Sequence, residues 1–354
     1  MHDTPHIQID WTHVGRRATG IERITRELFA PDMLAPLPVT TFTASKSKSG
    51  VLIAQSVLLP WQALMRRHDI FVFPGFPPSP VFSLLAARRS VLYVHDLFLL
   101  TRRDDLNTAG KYYLAPQFAL AVRSLPHFFV NSEQTEANLR NFCTPDATIV
   151  KYRPAIRNVF ELAPGDRLER AAAASAAVRC VAIGTIEPRK NLRAAANICA
   201  ALSSRLGKPV ELHIVGRPGW GGDADWLAQQ PHVILHGPVS DERVREIVDM
   251  SDFLLCTSHD EGLGLPLLEV QFAGLPVVAP DQPIFHEVLG KSGLFVRPAD
   301  ATGAAEQIAG WLAVDGWRRQ WGQASLANVT RWNDVAGNDR ENVVRFLAAL
   351  LERR

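Results

Sequence analysis

Thr257-Ser-His-Asp-Glu-Gly-Leu-Gly-Leu-Pro-Leu-Leu-Glu-Val-Gln-Phe-Ala-Gly-Leu-Pro-Val-Val-Ala279 carries two glutamates, Glu261 and Glu269, in a segment that otherwise reads as buried core. The apolar run 253–258 before it reads as a strand. Pro266 suits the first turn of a helix, where its missing N–H costs nothing, so a helix is predicted over 265–273. Gly262 and Gly264 let backbone approach a ligand with no Cβ in the way. The N–H groups around Gly264 and Leu265, with the helix dipole, form an anion site. Carboxylates on either side of that site repel phosphate but accept hydrogen bonds from hydroxyls. A nucleotide-sugar has this layout: ribose hydroxyls, diphosphate, sugar hydroxyls. The two acids then grip the two sugars while the helix start holds the phosphates.

Working outward, short apolar runs of strand type alternate with helical patterns through the whole chain. In the first half the strands are predicted at 6–10, 39–43, 70–74, 91–95, 127–131 and 148–152, with helices at 20–29, 109–123 and 132–142. In the second half strands are predicted at 179–184, 210–216, 233–236, 253–258, 276–279 and 293–296. The helices there fall at 191–206, 241–250, 265–273, 284–289, 301–312 and 316–330, with a last amphipathic helix at 335–351. Strands that are almost continuously apolar belong to parallel sheets covered on both faces. The fold class is therefore α/β, with two doubly wound Rossmann-like domains facing across a cleft. The predicted division is an N-terminal domain 1–160, a linker 161–177, a second domain 178–334 and a final helix 335–354 that packs back on the first domain. Ligands of such sheets bind beyond the carboxyl ends of the strands.

At 354 residues the chain exceeds one ordinary core. Net charge is +2, but residues 1–160 hold 18 Lys/Arg against 12 Asp/Glu, while the remainder holds 20 against 24. The arginine pairs at 16–17, 66–67, 88–89 and 102–103 either face an anionic partner or are solvated surface. The four cysteines, Cys143, Cys180, Cys199 and Cys256, share no metal-ligand spacing and read as small core residues of a reduced cytoplasmic protein. No apolar run is long enough to span a membrane, and peripheral attachment stays open.

The Glu261-Gly-Leu-Gly-Leu-Pro-Leu-Leu-Glu269 stretch, followed by Ala273-Gly-Leu-Pro-Val-Val278, resembles the donor-binding signature of the retaining glycosyltransferase family 4, of GT-B fold. Leu263 stands where that family usually has Phe, and Glu287 resembles a further family glutamate. Gly184-Thr-Ile-Glu-Pro-Arg-Lys-Asn191 resembles a variant found among its mannosyltransferase-like members, in which the lysine contacts phosphate. Thr185 stands where many relatives carry Arg, so Arg189 is expected to supply the second cation. Fixed cations there stabilise the charge that develops on a diphosphate leaving group. Ser90-Val-Leu-Tyr-Val-His-Asp96 resembles the family's His-Asp site, which brings His95 toward the transferred sugar and leaves Asp96 to orient or cap. Residues 16–28 resemble the N-terminal glycine-rich loop and helix, with Gly20 kept and Thr19 in the place of its partner. Trp220, in 217–222, either lines the nucleotide pocket or covers the domain.

The resemblance implies a retaining hexosyltransferase of cell-surface polysaccharide or lipopolysaccharide synthesis, and with no His/Cys/Asp cluster in the sequence and Arg189 and Lys190 able to do the electrostatic work, no metal cofactor is expected. GDP-mannose or a GDP-deoxyhexose is the expected donor, and a glycan or lipid-linked saccharide the acceptor. A cytoplasmic, peripheral place at an anionic inner membrane face is expected, with no nucleic-acid partner. Expected catalytic residues are His95, Arg189, Lys190 and Glu261. Expected nucleotide-sugar contacts are Gly20, Gly184, Thr185, Gly262, Leu263, Gly264, Leu265 and Glu269. A sugar-nucleotide epimerase or phosphorylase of the same fold, or a silent nucleotide-sugar-binding protein, are the alternatives.

Overall fold

The computed structural model describes residues 5–15, 20–45, 47–102, 108, 110–165, 167–169 and 176–353. The chain divides into two compact units, Met1–Ala155 with Asp334–Arg354, and Ile156–Asn333. Each unit is built on one six-stranded sheet whose strand pairs are all parallel. All twelve predicted strands are present, within two residues at their starts and three at their ends.

The first unit contains β1 (Ile7–Asp10), α1 (Gly20–Phe29), β2 (Val39–Phe42), α2 (Lys48–Ile53), α3 (Leu59–Met65), β3 (Ile70–Phe73), α4 (Pro80–Ala86), β4 (Ser90–Val94), α5 (Phe98–Thr101), α6 (Ala115–Ser124), β5 (His127–Val130), α7 (Glu133–Arg140) and β6 (Thr148–Lys151). Its strand order is β2-β1-β3-β4-β5-β6. Side chains alternate across a strand, so Phe71, Phe73, Leu92, Val94, Phe128 and Val130 share one sheet face. They pack there with Leu59 and Ala63 of α3, Phe82 of α4 and Phe118 of α6. On the opposite face Tyr93 and Phe129 meet Phe29 of α1 and Tyr152 at ring distances of 5.3–6.3 Å. The buried Tyr152 hydroxyl donates to the Leu28 carbonyl at 2.5 Å, and that of Tyr93 donates to the Tyr152 carbonyl at 3.1 Å. Both polar tips in this aromatic layer are thereby satisfied, as burial demands.

The second unit contains β7 (Val178–Ile183), α8 (Leu192–Leu206), β8 (Val210–Val215), α9 (Asp223–Ala228), β9 (Val233–Gly237), α10 (Asp241–Met250), β10 (Phe253–Leu255), α11 (Leu265–Glu269), β11 (Val277–Pro280), α12 (Pro283–Leu289), β12 (Gly293–Val296) and α13 (Ala301–Leu312). The order β12-β11-β10-β7-β8-β9 reverses direction between β7 and β10. Alternate residues of β7 feed two separate cores. Cys180 and Ala182 join α8 and α13 on one face, and Val181 joins α10, α11 and α12 on the other.

Three readings change. The described start of the predicted linker 161–177 is docked on the second unit, while 166 and 170–175 lie outside the described residues. Leu162 is in the second core, and the buried Arg167 guanidinium donates to the Ser251 and Val248 carbonyls at the end of α10. A cation bonded to the last carbonyls of a helix is held by both hydrogen bonds and the helix dipole. The two terminal helices predicted at 316–330 and 335–351 are one helix, α14 (Trp317–Glu352), since Arg331-Trp-Asn-Asp334 holds no helix breaker. Helices α2, α3, α4, α5 and α9 have no counterpart among the predicted elements.

The end of α14 packs within the first unit. Phe346 meets Phe129 at 5.9 Å, and Asp339 accepts from the Arg153 guanidinium at 2.8 Å, both side chains being nearly inaccessible. Removing one partner of a buried pair strands the other charge, at a cost of about 3 kcal/mol. Asp339→Ala is therefore expected to lower unfolding free energy by about that much, measured by urea denaturation. A loss within error of zero would show the pair to be solvated.

Candidate functional site

In a doubly wound sheet, helices leave on opposite sides at the point where strand order reverses, and a crevice opens there at the carboxyl edge. In the second unit this point lies between β7 and β10. Gly184 follows β7 with φ +142°, and Gly216 follows β8 with φ +156°. A Cβ on Gly216 would stand 1.8 Å from the Gly184 carbonyl oxygen. Glycine at both positions lets the two strand ends draw together and frees the edge for the loop that follows.

That loop is a 3₁₀ turn, Pro188–Lys190, closed by Asn191 in the left-handed region before α8 starts at Leu192. It presents Arg189 and Lys190 to the loop after β10. The Lys190 ammonium donates to Glu261 Oε1 at 2.5 Å, and Ser258 Oγ donates to the same oxygen at 2.7 Å. Arg189 donates to Glu261 Oε2 at 2.9 Å, to the Asp260 carbonyl at 2.8 Å and to Glu187 Oε1 at 2.7 Å. Main chain ties the same loops together. His259 N–H donates to the Arg189 carbonyl at 2.8 Å, and the Thr257 hydroxyl contacts the carbonyls of Lys190 and Asn191 at 3.2 and 2.9 Å. Burial alone would raise the Glu261 pKa, but Lys190 and Arg189, with the Lys190 and Ser258 hydrogen bonds, overcome it and hold the pKa at about 2. For Arg189, burial opposes the charge, and Glu261 and Glu187 more than restore it.

The guanidinium of Arg189, expected as the second cation, is shared among two carboxylates and a carbonyl and so ties the two loops together. Lys190 uses one of its three donors on Glu261. Thr185 follows Gly184 in the same loop, next to Ile186, which bridges to Pro218. Gly262 and Gly264 frame Leu263, whose side chain enters the core, and Gly264 caps α11 at φ +74°. Leu265 opens α11 half-buried against the same core. The helix is α-type only to Glu269 and tightens into a 3₁₀ turn, Val270–Ala273, before Gly274. Fewer aligned peptide dipoles therefore stand behind its start than a helix over 265–273 would supply. Glu269 is buried within α11. A small cavity between β7, β10 and α11 is lined by Lys190, Thr257, Ser258, Glu261, Gly264 and Pro266. Glu287 lies in α12, apart from these lining residues, and its carbonyl accepts from Arg331. Trp220 is exposed.

In the first unit the reversal lies between β1 and β3. His95, just after β4, bonds through Nε2 to the Pro74 carbonyl at 2.7 Å, while Asn131 holds the His95 carbonyl at 2.8 Å. A carbonyl only accepts, so Nε2 carries the proton and Nδ1 the lone pair. Burial lowers the His95 pKa to about 4, leaving the ring neutral at pH 7. Asp96 accepts from Phe98 N–H at 3.0 Å, a turn-capping role. Gly20 is the first residue of α1; Thr19 and the Arg16-Arg17 pair fall outside the described residues.

The sequence reading passed over two side chains at this edge. Asp10 ends β1 and is fully buried, with its pKa raised by burial to about 6 against hydrogen bonds from Thr12 and Gln55. His13 Nε2 lies 2.8 Å from the Thr25 hydroxyl, which itself donates to the Ile21 carbonyl. His13 Nε2 is therefore the donor and Nδ1 the bare acceptor. Burial first, then the nearby His95, lowers the His13 pKa to about 4. A Cβ on Gly75, after β3, would lie 2.4 Å from the His13 ring. The rule that ligands meet strand ends points to 10–13 as directly as it does to His95.

Residues 177–313, well under half of the chain, match the family described as glycosyl transferases group 1. The serotype-specific mannosyltransferase WbdA of Escherichia coli is 33% identical over 151 residues, 40% of this chain and 18% of that protein. The O-antigen chain mannosyltransferase B of Escherichia coli is 31% identical over 141 residues, 38% of this chain and 37% of that one. The chain thus matches well under half the length of these relatives. Among solved structures, HepE of Anabaena in complex with UDP and glucose superposes with TM-score 0.69 at 16% identity, covering 98% of this chain and 100% of that one. WaaG, a glycosyltransferase involved in lipopolysaccharide biosynthesis, gives 0.64 at 16%, covering 96% and 99%. The fold is GT-B.

The Glu261 clamp has a pH signature. Its folded pKa of about 2 lies below the model-compound 4.5, so the stability it contributes is complete above 4.5 and is lost as pH falls toward 2. The shift corresponds to about 3 kcal/mol. Wild type should exceed Glu261→Gln in unfolding free energy at neutral pH, and the gap should narrow from about pH 5 to about pH 3. A gap independent of pH would mean that the carboxylate is not ionised in the folded protein.

Proposed function

We propose that the protein is a retaining glycosyltransferase that moves a hexose from a nucleotide-sugar to a hydroxyl of a saccharide or lipid-linked saccharide in cell-surface polysaccharide synthesis. The observation that carries this reading is the Lys190–Glu261–Arg189 clamp at the β7/β10 reversal point, inside the part of the chain that matches the glycosyltransferase family. Lys190 is aimed by a carboxylate that itself stays ionised. Its two further donors suit the oxygens of a diphosphate. Negative charge grows on those oxygens as the glycosidic bond breaks, and a fixed cation stabilises that state more than the ground state. In this reading the cation does the work of a metal, and turnover persists in the presence of a chelator.

The paired acids on Lys190 and Arg189 also explain how two basic side chains sit together before substrate arrives. Glu187 and Glu261 balance their charge, so the loop is stable when empty. The mannosyltransferases among the relatives, with the Glu187-Pro-Arg-Lys-Asn191 sequence, favour mannose as the hexose and GDP as the carrier. The first unit takes the acceptor in this reading. The bare Nδ1 atoms of His95 and His13 and the carboxyl of Asp10 are suited to accept from sugar hydroxyls.

Thermal shift against GDP, UDP, dTDP and ADP identifies the donor base, because a ligand of the folded state raises its melting temperature. GDP is expected to give the largest shift, and Lys190→Ala to abolish it while lowering kcat with the matching sugar-nucleotide. An unchanged shift and unchanged kcat in Lys190→Ala would remove the clamp from the active site. His95→Ala is expected to lower kcat by at least tenfold, about 1.4 kcal/mol, with nucleotide affinity intact. A folded His95→Ala variant of normal kcat would overturn its role.

A further inference from the structure

The outer surface of the first unit bears a feature that the glycosyl-transfer reading does not use. Of the seventeen large apolar side chains left exposed among the described residues, ten lie between Leu52 and Leu85. They belong to α2, the π-helical turn Ala54–Leu58, α3 and α4. Trp61 is 59% exposed, Met65 66% and Leu84 82%. Scattered apolar residues on a surface need no explanation, but a concentration on one layer of helices does.

These helices lie together. Leu59, Ala63 and Phe82 face inward, into the core on the Phe71/Phe73 side of the sheet. The opposite sides of α3 and α4, with Trp61, Met65 and Leu84, therefore face away from the sheet. Helix α6 covers the same sheet face through Phe118 and Ala121, and the π-helical turn Gly110–Leu114 before it adds Tyr112, 74% exposed. A helix apolar on all sides requires cover on all sides; the protein covers only one side of α3.

Charge decides what covers the other. Residues 47–102 contain six Lys/Arg and two Asp/Glu. One of those acids, Asp69, is buried, where it accepts from His6 N–H and Gln8 and lies 3.7 Å from the half-exposed Arg66 guanidinium, and the other, Asp96, caps a turn. Arg66 and Arg67 follow Met65 at the exposed end of α3, and Arg88 follows α4, all of them exposed. A second copy of the chain docked through the same face would set these arginines against one another. An anionic bilayer offers the complementary arrangement: acyl chains for the apolar stripe, acidic headgroups for its arginine rim, and the interfacial region that Trp and Tyr prefer. No helix among the described residues is long and apolar enough to cross a membrane. We infer that the outer face of α2–α4 with the α6 edge is a monotopic attachment surface for an anionic membrane, which seats the protein by Trp61, Met65, Leu84 and the Arg66/Arg67/Arg88 rim.

Flotation of the full chain with phosphatidylcholine vesicles, with and without phosphatidylglycerol, tests this. Wild type should float with the anionic vesicles and remain below with the neutral ones. Trp61→Glu with Leu84→Glu should abolish flotation. Each of Arg66→Gln, Arg67→Gln and Arg88→Gln should lower the partition coefficient about fivefold, the effect of one basic charge near an anionic surface. All of these side chains are exposed, so melting temperatures should match wild type. The difference in emission between wild type and Trp61→Phe should shift to the blue on adding anionic vesicles. Flotation that ignores Trp61→Glu and Leu84→Glu, or that is equal on neutral vesicles, overturns the inference. So does a wild-type dimer without vesicle binding that the same two substitutions dissociate, since the face is then a subunit interface.

Discussion

A single buried carboxylate organises the second unit's carboxyl edge. Glu261 accepts from Lys190, Arg189 and Ser258, and so joins the loop after β7 to the loop after β10 across the point where strand order reverses. Removing a carboxylate from water is unfavourable unless opposite charge and hydrogen bonds replace the water. Here two cations and a hydroxyl do so, and the low pKa is the consequence. The arrangement is reciprocal: the carboxylate keeps two neighbouring cations from repelling each other. Arg189, with its planar fork of donors, spans Glu187, Glu261 and the Asp260 carbonyl, a task that a lysine's point charge would not perform.

The clamp depends in turn on how closely the strands approach. Gly184 and Gly216 allow a backbone contact that no side chain at 216 would permit. The first unit repeats the device in another form, with Gly75 making room for the His13 ring at its own reversal point. In each unit, then, polar side chains gather at the carboxyl edge and the helices carry the apolar cover. That division of labour follows from parallel topology, in which every strand points its carboxyl end the same way. His13 and His95 of the first unit are neutral because they are buried, with Nε2 of each fixed by an acceptor on the protein. Neutral rings of fixed tautomer are suited to receive hydrogen bonds, not to carry charge.

The outer layer of the first unit follows a different logic. From Lys48 to Met65 the chain is helical and apolar on nearly every side, and the π-helical turn at Ala54–Leu58 interrupts its regular period. Amphipathic periodicity is the signal by which a helix is recognised in sequence, and this segment has none. The same property that hides these helices from sequence leaves apolar surface exposed in the structure. Arg89 fastens the end of α3 by donating to the carbonyls of Ala63 and Arg66, so this basic residue serves the fold while Arg66, Arg67 and Arg88 stand at the rim.

The sequence alone determined the twelve strands, the doubly wound α/β class and the grouping of Lys190 with Glu261, because each depends on local pattern: apolar runs of strand length, and polar residues placed just past their ends. It did not determine partners. That Arg189 would be shared among Glu187, Glu261 and Asp260 depends on two loops 71 residues apart meeting across a sheet, and no spacing records that. Residues 161–177 read as a linker because Pro, Gly, charge and alanine in series carry no period; the docking of Arg167 on the end of α10 makes its start part of a domain. Asp10 and His13 looked like strand-end residues of no special kind until burial set their protonation. Local pattern is written residue by residue, whereas burial and pairing arise only when distant segments close on one another, and protonation follows from both.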